Sequence, residues 1–130
     1  FIRRQVKKRY VALLDGLLEA TEGWIDLPLR VDIEDRPRQL VCYEYGKSAR
    51  SRWVKLAVEK GRTRVHFFPV TGRTHQLRVH AAHYLGLNTP IVGDKLYGQP
   101  GPRLHLHAEQ LEFIHPVTQQ WMLFRRTADF

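Results

Sequence analysis

Residues 47–70, KSARSRWVKLAVEKGRTRVHFFPV, constrain the fold more than any other stretch. Ser51, Trp53, Lys55 and Ala57 alternate with Arg52, Val54, Leu56 and Val58, which is the two-residue period of a strand, and Lys60-Gly61 is a turn that returns the chain as a β-hairpin. The flanking sequence reads the same way. In KKRYVALLDG, residues 7–16, Tyr10, Ala12 and Leu14 share one face, Val11 and Leu13 the other, and Asp15-Gly16 stops the strand. GWIDLPLRVD, residues 23–32, is a second short strand whose Pro28 predicts an edge or a bulge. RLHLHAEQLEFIHP and WMLFRR give two final strands, while DIEDRPRQL and NTPIVGDKLYGQPGP are loops rich in polar residues, Gly or Pro. One helix is expected, from Thr74 to Tyr84, with Gly86 as its C-terminal stop. The expected fold is therefore α+β, a mixed, largely antiparallel sheet with few helices, and residues 1–130 form a single unit.

The chain has 130 residues, 43% of them apolar, and no run long and apolar enough to cross a bilayer, so no membrane partner is expected. With a single cysteine, Cys42, and no signal-peptide pattern at Phe1, the expected location is the cytoplasm. The only methionine is Met122, which leads to the expectation that a segment of a longer protein precedes Phe1. The net charge of +8 is polarised. Residues 1–10 carry five cations and no acid, residues 11–46 eight acids against three bases, and residues 47–64 seven bases against Glu59 alone. Two basic stretches flanking an acidic one make a field that attracts a polyanion such as RNA or DNA.

The helical stretch carries Arg73, His75, Gln76 and Arg78 within six residues and no carboxylate. At roughly 100° per residue, Leu77, Ala81, Ala82, Tyr84 and Leu85 form an apolar arc, with Arg78 inside it and Gln76, His80 and His83 on the opposite, water-facing side. An inward guanidinium cannot shed its charge and needs an anion. Asp94 or Glu109 could supply one; otherwise it comes from outside the chain, or the side chain reaches along the helix edge to water. Arg73 and His75 sit where the free N–H groups of a helix start favour a phosphate.

TGRTHQLRVHAAHYLGLNTPIVGDKLYG closely resembles the Gly-Arg-x-His-Gln-Leu-Arg-x-His and Pro-Ile-x-Gly-Asp-x-x-Tyr-Gly segments of the RluA family of RNA pseudouridine synthases. KKRYVALLDG resembles that family's Lys-x-Tyr strand and RLHLHAEQLEFIHP its Leu-His-Ala strand, in the family's order. The resemblance implies part of a pseudouridine synthase catalytic domain. The implied reaction isomerises uridine to pseudouridine in ribosomal or transfer RNA, with no metal and no organic cofactor. An enzyme of this kind takes the target base out of its stack. Tyr10 would then pack on the uracil and take part in proton transfer, and Leu106 would contact the ring from below. Arg78 would hold the family's nucleophilic Asp ionised. Arg73, Thr74 and His75 would meet the RNA backbone, with Lys7, Lys8, Arg50 and Arg52 as a less specific funnel. The family's Arg-Leu-Asp nucleophile segment is absent from these residues, so the chain by itself is expected to be inactive.

Two other readings compete. The chain could be a noncatalytic RNA-binding module, or a metal site built on His80 and His83 with His105 and His107, whose spacings suit ligation but which no cysteine or carboxylate joins. Self-association through an exposed sheet edge is also expected.

Overall fold

A computed structural model of the chain describes residues 6–130. Arg3 and Arg4 of the first basic cluster lie outside the described residues. Eight strands and one α-helix are present among the described residues, in the order β1 (Lys7–Leu14), β2 (Glu22–Asp26), β3 (Leu29–Val31), β4 (Gln39–Val41), β5 (Arg50–Glu59), β6 (Arg62–Pro69), α1 (Gln76–Ala82), β7 (Leu106–Ile114) and β8 (Trp121–Arg125). Six form one sheet in the order β2-β5-β6-β1-β7-β8, and β3 and β4 form a small second one. Every named strand pairing is antiparallel, so the expected α+β class with a largely antiparallel sheet is what the chain adopts.

The hairpin β5–β6 turns at Lys60 and Gly61, both at positive φ, as a tight hairpin turn requires. Its alternation holds from Ser51 to Lys55 and then shifts at a bulge, which leaves Leu56 and Val58 exposed. Pro28 divides GWIDLPLRVD: β2 is an edge strand of the large sheet, and β3 leaves it to pair with β4. Ala12, Leu14, Val65 and Phe67 on one face of the large sheet meet Leu77 and Ala81 of α1, with Trp53, Ile25, Leu27 and Ile91 closing the core. That pairing of sheet and helix places the 70–75 loop at the end of β6, directly over Tyr10 and Leu106.

The helix is shorter than expected, and its buried face differs. His83 is already extended (φ −64°, ψ 141°), so Tyr84 and Leu85 lie past its end and are 73% and 51% exposed. Gly86 is required for space rather than for a left-handed cap: a Cβ there would stand 2.1 Å from the His80 carbonyl oxygen. Gln76 and His80, expected to face water, are buried. Gln76 Nε2 donates to Arg50 O and to Ser51 Oγ, both at 2.9 Å, while its Oε1 accepts from Thr71 Oγ1 at 2.7 Å and Arg73 N at 3.0 Å. The Ser51 hydroxyl then donates to His80 Nδ1 at 2.9 Å, and His80 Nε2–H donates to Leu27 O at 3.0 Å. Burial holds the His80 pKa below its ordinary value, which fits a neutral ring with one accepting and one donating nitrogen. Each polar atom of this chain of bonds is satisfied, so burial stabilises the loop–helix junction instead of costing it.

Candidate active site

A cavity of about 280 Å³ opens where β1, β7, the 70–75 loop and the start of α1 converge. Tyr10 and Leu106 form its apolar side, Lys8, Arg73 and Arg78 its cationic one, and His75 lies between them. Four separate segments supply these side chains, and a bulge between Arg9 and Tyr10 in the β1–β7 pairing sets the direction of Tyr10. No carboxylate lines the cavity among the described residues.

Arg78 points inward as expected, but the anion it meets belongs to this chain. Nε donates to Asp94 Oδ2 at 3.0 Å and Nη2 to Oδ1 at 2.6 Å, a bidentate pair in which Asp94 is fully buried and Arg78 is 16% exposed. Leu96 N and Tyr97 N donate to the same Oδ1, at 3.1 and 3.2 Å. Of the anions expected for Arg78, the internal Asp94 is the one that neutralises it, so no carboxylate from outside is needed for that. Asp94 reaches this position because its loop is pinned to β1: Val92 N donates to Leu13 O at 2.9 Å, and Ile91 bridges Leu14. Gly93 (φ 81°) permits the turn, since a Cβ there would meet Arg103 O at 1.7 Å. Asp94 is saturated and turned away from the cavity, so it holds Arg78 and cannot attack a ligand. Nη1 of Arg78 has no protein acceptor among the described residues.

His75 is fixed in a similar way. Its backbone is left-handed (φ 55°), and its Nδ1 lies 2.8 Å from the Tyr97 hydroxyl. That hydroxyl accepts from Gln39 N at 2.9 Å, and its own proton has no other acceptor among the described residues, so it donates to Nδ1. Burial raises the Tyr97 pKa, and burial together with the nearby Arg78 lowers that of His75. His75 is thus a neutral ring whose Nε2–H is its donor. It is a directional hydrogen-bond group rather than a cation. At the helix start the Arg73 N–H is bonded to Gln76 Oε1, so this one N–H is not free for the phosphate expected there, and α1 is seven residues long.

The remaining expected residues are dispersed. Thr74 lies with Arg73 on a neighbouring cavity. Lys7 sits over the Trp121 ring at 5.8 Å, away from the site. Arg50 stacks on Trp24 and pairs with Asp26 at 3.6 Å, and Arg52 pairs with Glu22 at 3.3 Å, so neither enters the cavity. Among the described residues no three His, Cys, Asp or Glu side chains gather as a metal would require, and His80 is committed to Ser51 and Leu27. Gln76, which sets the loop, was read from the sequence only as a water-facing residue, and Tyr97, which orients His75, was not singled out. Both lie within the two motifs that carry the family resemblance, which was the available signal.

The geometry defines a small, cation-flanked, partly apolar cavity beside a hydrogen-bonded loop. The family model for RNA pseudouridylate synthase matches residues 1–83. The chain is 49% identical over 130 residues to the dual-specificity RNA pseudouridine synthase RluA of Pasteurella multocida, covering 95% of this chain and 58% of that one. The corresponding protein of Escherichia coli K12 is 45% identical over 136 residues, covering 100% of this chain and 61% of that one. Among solved structures, human RNA pseudouridylate synthase domain containing 1 superposes with a TM-score of 0.80 at 29% identity, over 98% of this chain and 57% of that one. The chain belongs to the RNA pseudouridylate synthase family. It spans about three fifths of the length of the curated relatives it matches.

Proposed function

We propose that this chain is the part of a pseudouridine synthase that receives an extruded uridine of structured RNA and holds it for isomerisation. The observation that carries the reading is the convergence of Tyr10, Leu106, Arg78, Arg73 and Lys8 on one cavity. In this reading Tyr10 and Leu106 bracket the base, and the Tyr10 hydroxyl takes part in proton transfer. Lys8 and Arg73 meet the phosphates, and the Nε2–H of His75 donates to a carbonyl or phosphate oxygen. The reaction breaks the bond from the ribose to nitrogen and forms one to carbon, which calls for a nucleophile. The cavity has no carboxylate of its own among the described residues. The nucleophilic Asp would therefore come from outside these 130 residues and meet Arg78 on the side left open by Asp94, where a fixed cation keeps it ionised.

Tritium release from RNA carrying C5-labelled uridine tests this in the natural full-length protein. Release is expected there and not from the 130 residues alone; no release from ribosomal or transfer RNA by the full-length protein rejects the reading. The missing carboxylate also favours a second reading for the chain in isolation, namely RNA binding without chemistry, with affinity that falls steeply with salt. The expected setting is the cytoplasm. The chain by itself is also expected to self-associate, because β8 is an edge strand that exposes Trp121, Leu123 and Phe124. A strictly monomeric sedimentation profile at high concentration rejects that.

A further inference from the structure

A second cavity, of about 450 Å³, adjoins the first, and Gly72 and Arg73 line both. Its walls come from β3, from Gln39 of β4, and from Tyr45 and Lys47 in the segment leading into β5. Arg30, Lys47 and Arg73 reach it from three segments, and no acid lines it. The neighbouring Arg38, Arg50 and Arg52 each have an acidic partner, whereas these three cations have none within salt-bridge distance among the described residues. Arg30 Nη1 donates to Val31 O at 3.2 Å, but its buried Nε has no acceptor among the described residues. Arg73 Nε donates only to Ser48 O, at 2.8 Å. At the rim stands Tyr45, 74% exposed, its phenol ring unsupported by the core.

Three unneutralised cations together lower the free energy of an incoming anion, and an exposed aromatic ring beside them offers a flat face for a base. Arg73 forms the boundary with the cavity that takes the target uridine. We propose that the second cavity holds the nucleotide next to that uridine in the same RNA strand, with its phosphodiester on Arg73, Lys47 and Arg30 and its base stacked on Tyr45. This rests on the RNA reading of the first cavity and extends it: the protein grips a single-stranded step, not one isolated base.

Fluorescence anisotropy with labelled uridine pentanucleotide, and competition by uridine 5′-monophosphate, test the assignment on this chain. Tyr45 and Lys47 are exposed, so Tyr45→Ala and Lys47→Ala should melt as the natural chain does. Tyr45→Ala is expected to weaken pentanucleotide binding about tenfold, within the range for losing one stacked base, and Tyr45→Phe to restore it. Lys47→Ala is expected to weaken it about threefold and to reduce the slope of log affinity against log salt by about 0.7, the value for one lost phosphate contact on a single strand. Affinity for the monophosphate should not change in either variant. Unchanged pentanucleotide binding by both variants overturns the second site and leaves the RNA reading standing, whereas no binding by the natural chain overturns both. Equal loss for monophosphate and pentanucleotide places the effect in the first cavity and also overturns the proposal. So does a glutamate pentapeptide that competes as well as the RNA, which would make the surface a dock for acidic peptide.

Discussion

Two charged clusters lie on opposite faces of the large sheet, and they are built differently. On the α1 side, Asp94 is fully buried, takes Arg78 in a bidentate fork and accepts two backbone N–H groups. On the other side, Glu109 Oε1 accepts from Arg9 at 2.8–2.9 Å and from His66 at 3.0 Å, in a cluster whose side chains remain 15–27% exposed. Both clusters join segments distant in sequence. Asp94, however, uses both oxygens and has no route to water, whereas all three contacts of Glu109 fall on one oxygen with solvent nearby. Removing either partner from the first strands an ion; removing one from the second exposes it to water. The first cluster can therefore hold the Arg78 guanidinium in one orientation, and the second mainly fastens β1, β6 and β7.

The largest effect is expected at Asp94. Asp94→Asn keeps the shape but leaves the Arg78 charge poorly matched in a buried site, and the loss should be about 3 kcal/mol of stability. In the full-length protein the same change should lower kcat far more than substrate affinity, because it frees the orientation of Arg78. Urea unfolding together with tritium-release kinetics checks both. A fully active, equally stable variant would remove the distinction between the clusters.

Acidification gives the next test. Burial lowers the pKa of His80 and of His66, with Arg9 adding to the second. In the unfolded chain these rings take up protons near the ordinary value of about 6.5, while in the folded chain they stay neutral to lower pH. Their contribution is thus complete above about pH 6.5 and is lost as the pH falls toward the folded values. Melting temperature should drop between pH 7.5 and 5.5, and His80→Gln should flatten that drop more than His66→Gln, because His80 is fully enclosed. A melting temperature that rises on acidification contradicts the neutral-ring assignment.

The sheet was largely legible because a two-residue period and turn residues such as Lys60-Gly61 act locally, so each strand declares itself within a few residues. The cavity was legible through motif order: Tyr10, Arg78 and Leu106 were expected together and are together. The burial of Gln76 and His80 was hidden because a helical wheel ranks residues by hydropathy. Their partners, Arg50, Ser51 and Leu27, lie 25–53 positions away. In the sequence the Arg78–Asp94 pair is only one of several options, since a separation of 16 residues across a loop leaves the direction of Asp94 undetermined until the loop docks on β1. Arg50 and Arg52 failed to reach the site because the strand pairing set them beside Asp26 and Glu22 of β2.

A smaller effect is expected at Tyr97, which stands against Arg78 with its ring 5.3 Å from the guanidinium carbon. Tyr97→Phe keeps that stacking but removes the bond to His75 and strands the Gln39 N–H, at a cost of about 1 kcal/mol. Nitrogen-15 chemical shifts of His75 should show the Nε2–H form giving way to a mixture of tautomers. An unchanged ring spectrum would mean that Tyr97 does not set the proton position.

The smallest effect separates the clusters most directly. Glu109→Gln keeps an oxygen for Arg9 and His66, and the site it leaves is partly open to water, so the loss should be about 0.5 kcal/mol and should shrink further in high salt. The comparison with Asp94→Asn removes the same unit of charge from an acid that also faces an arginine, leaving enclosure and bidentate geometry as the variables. If the two amides cost the same in urea unfolding, enclosure and bidentate geometry are not what distinguishes the clusters.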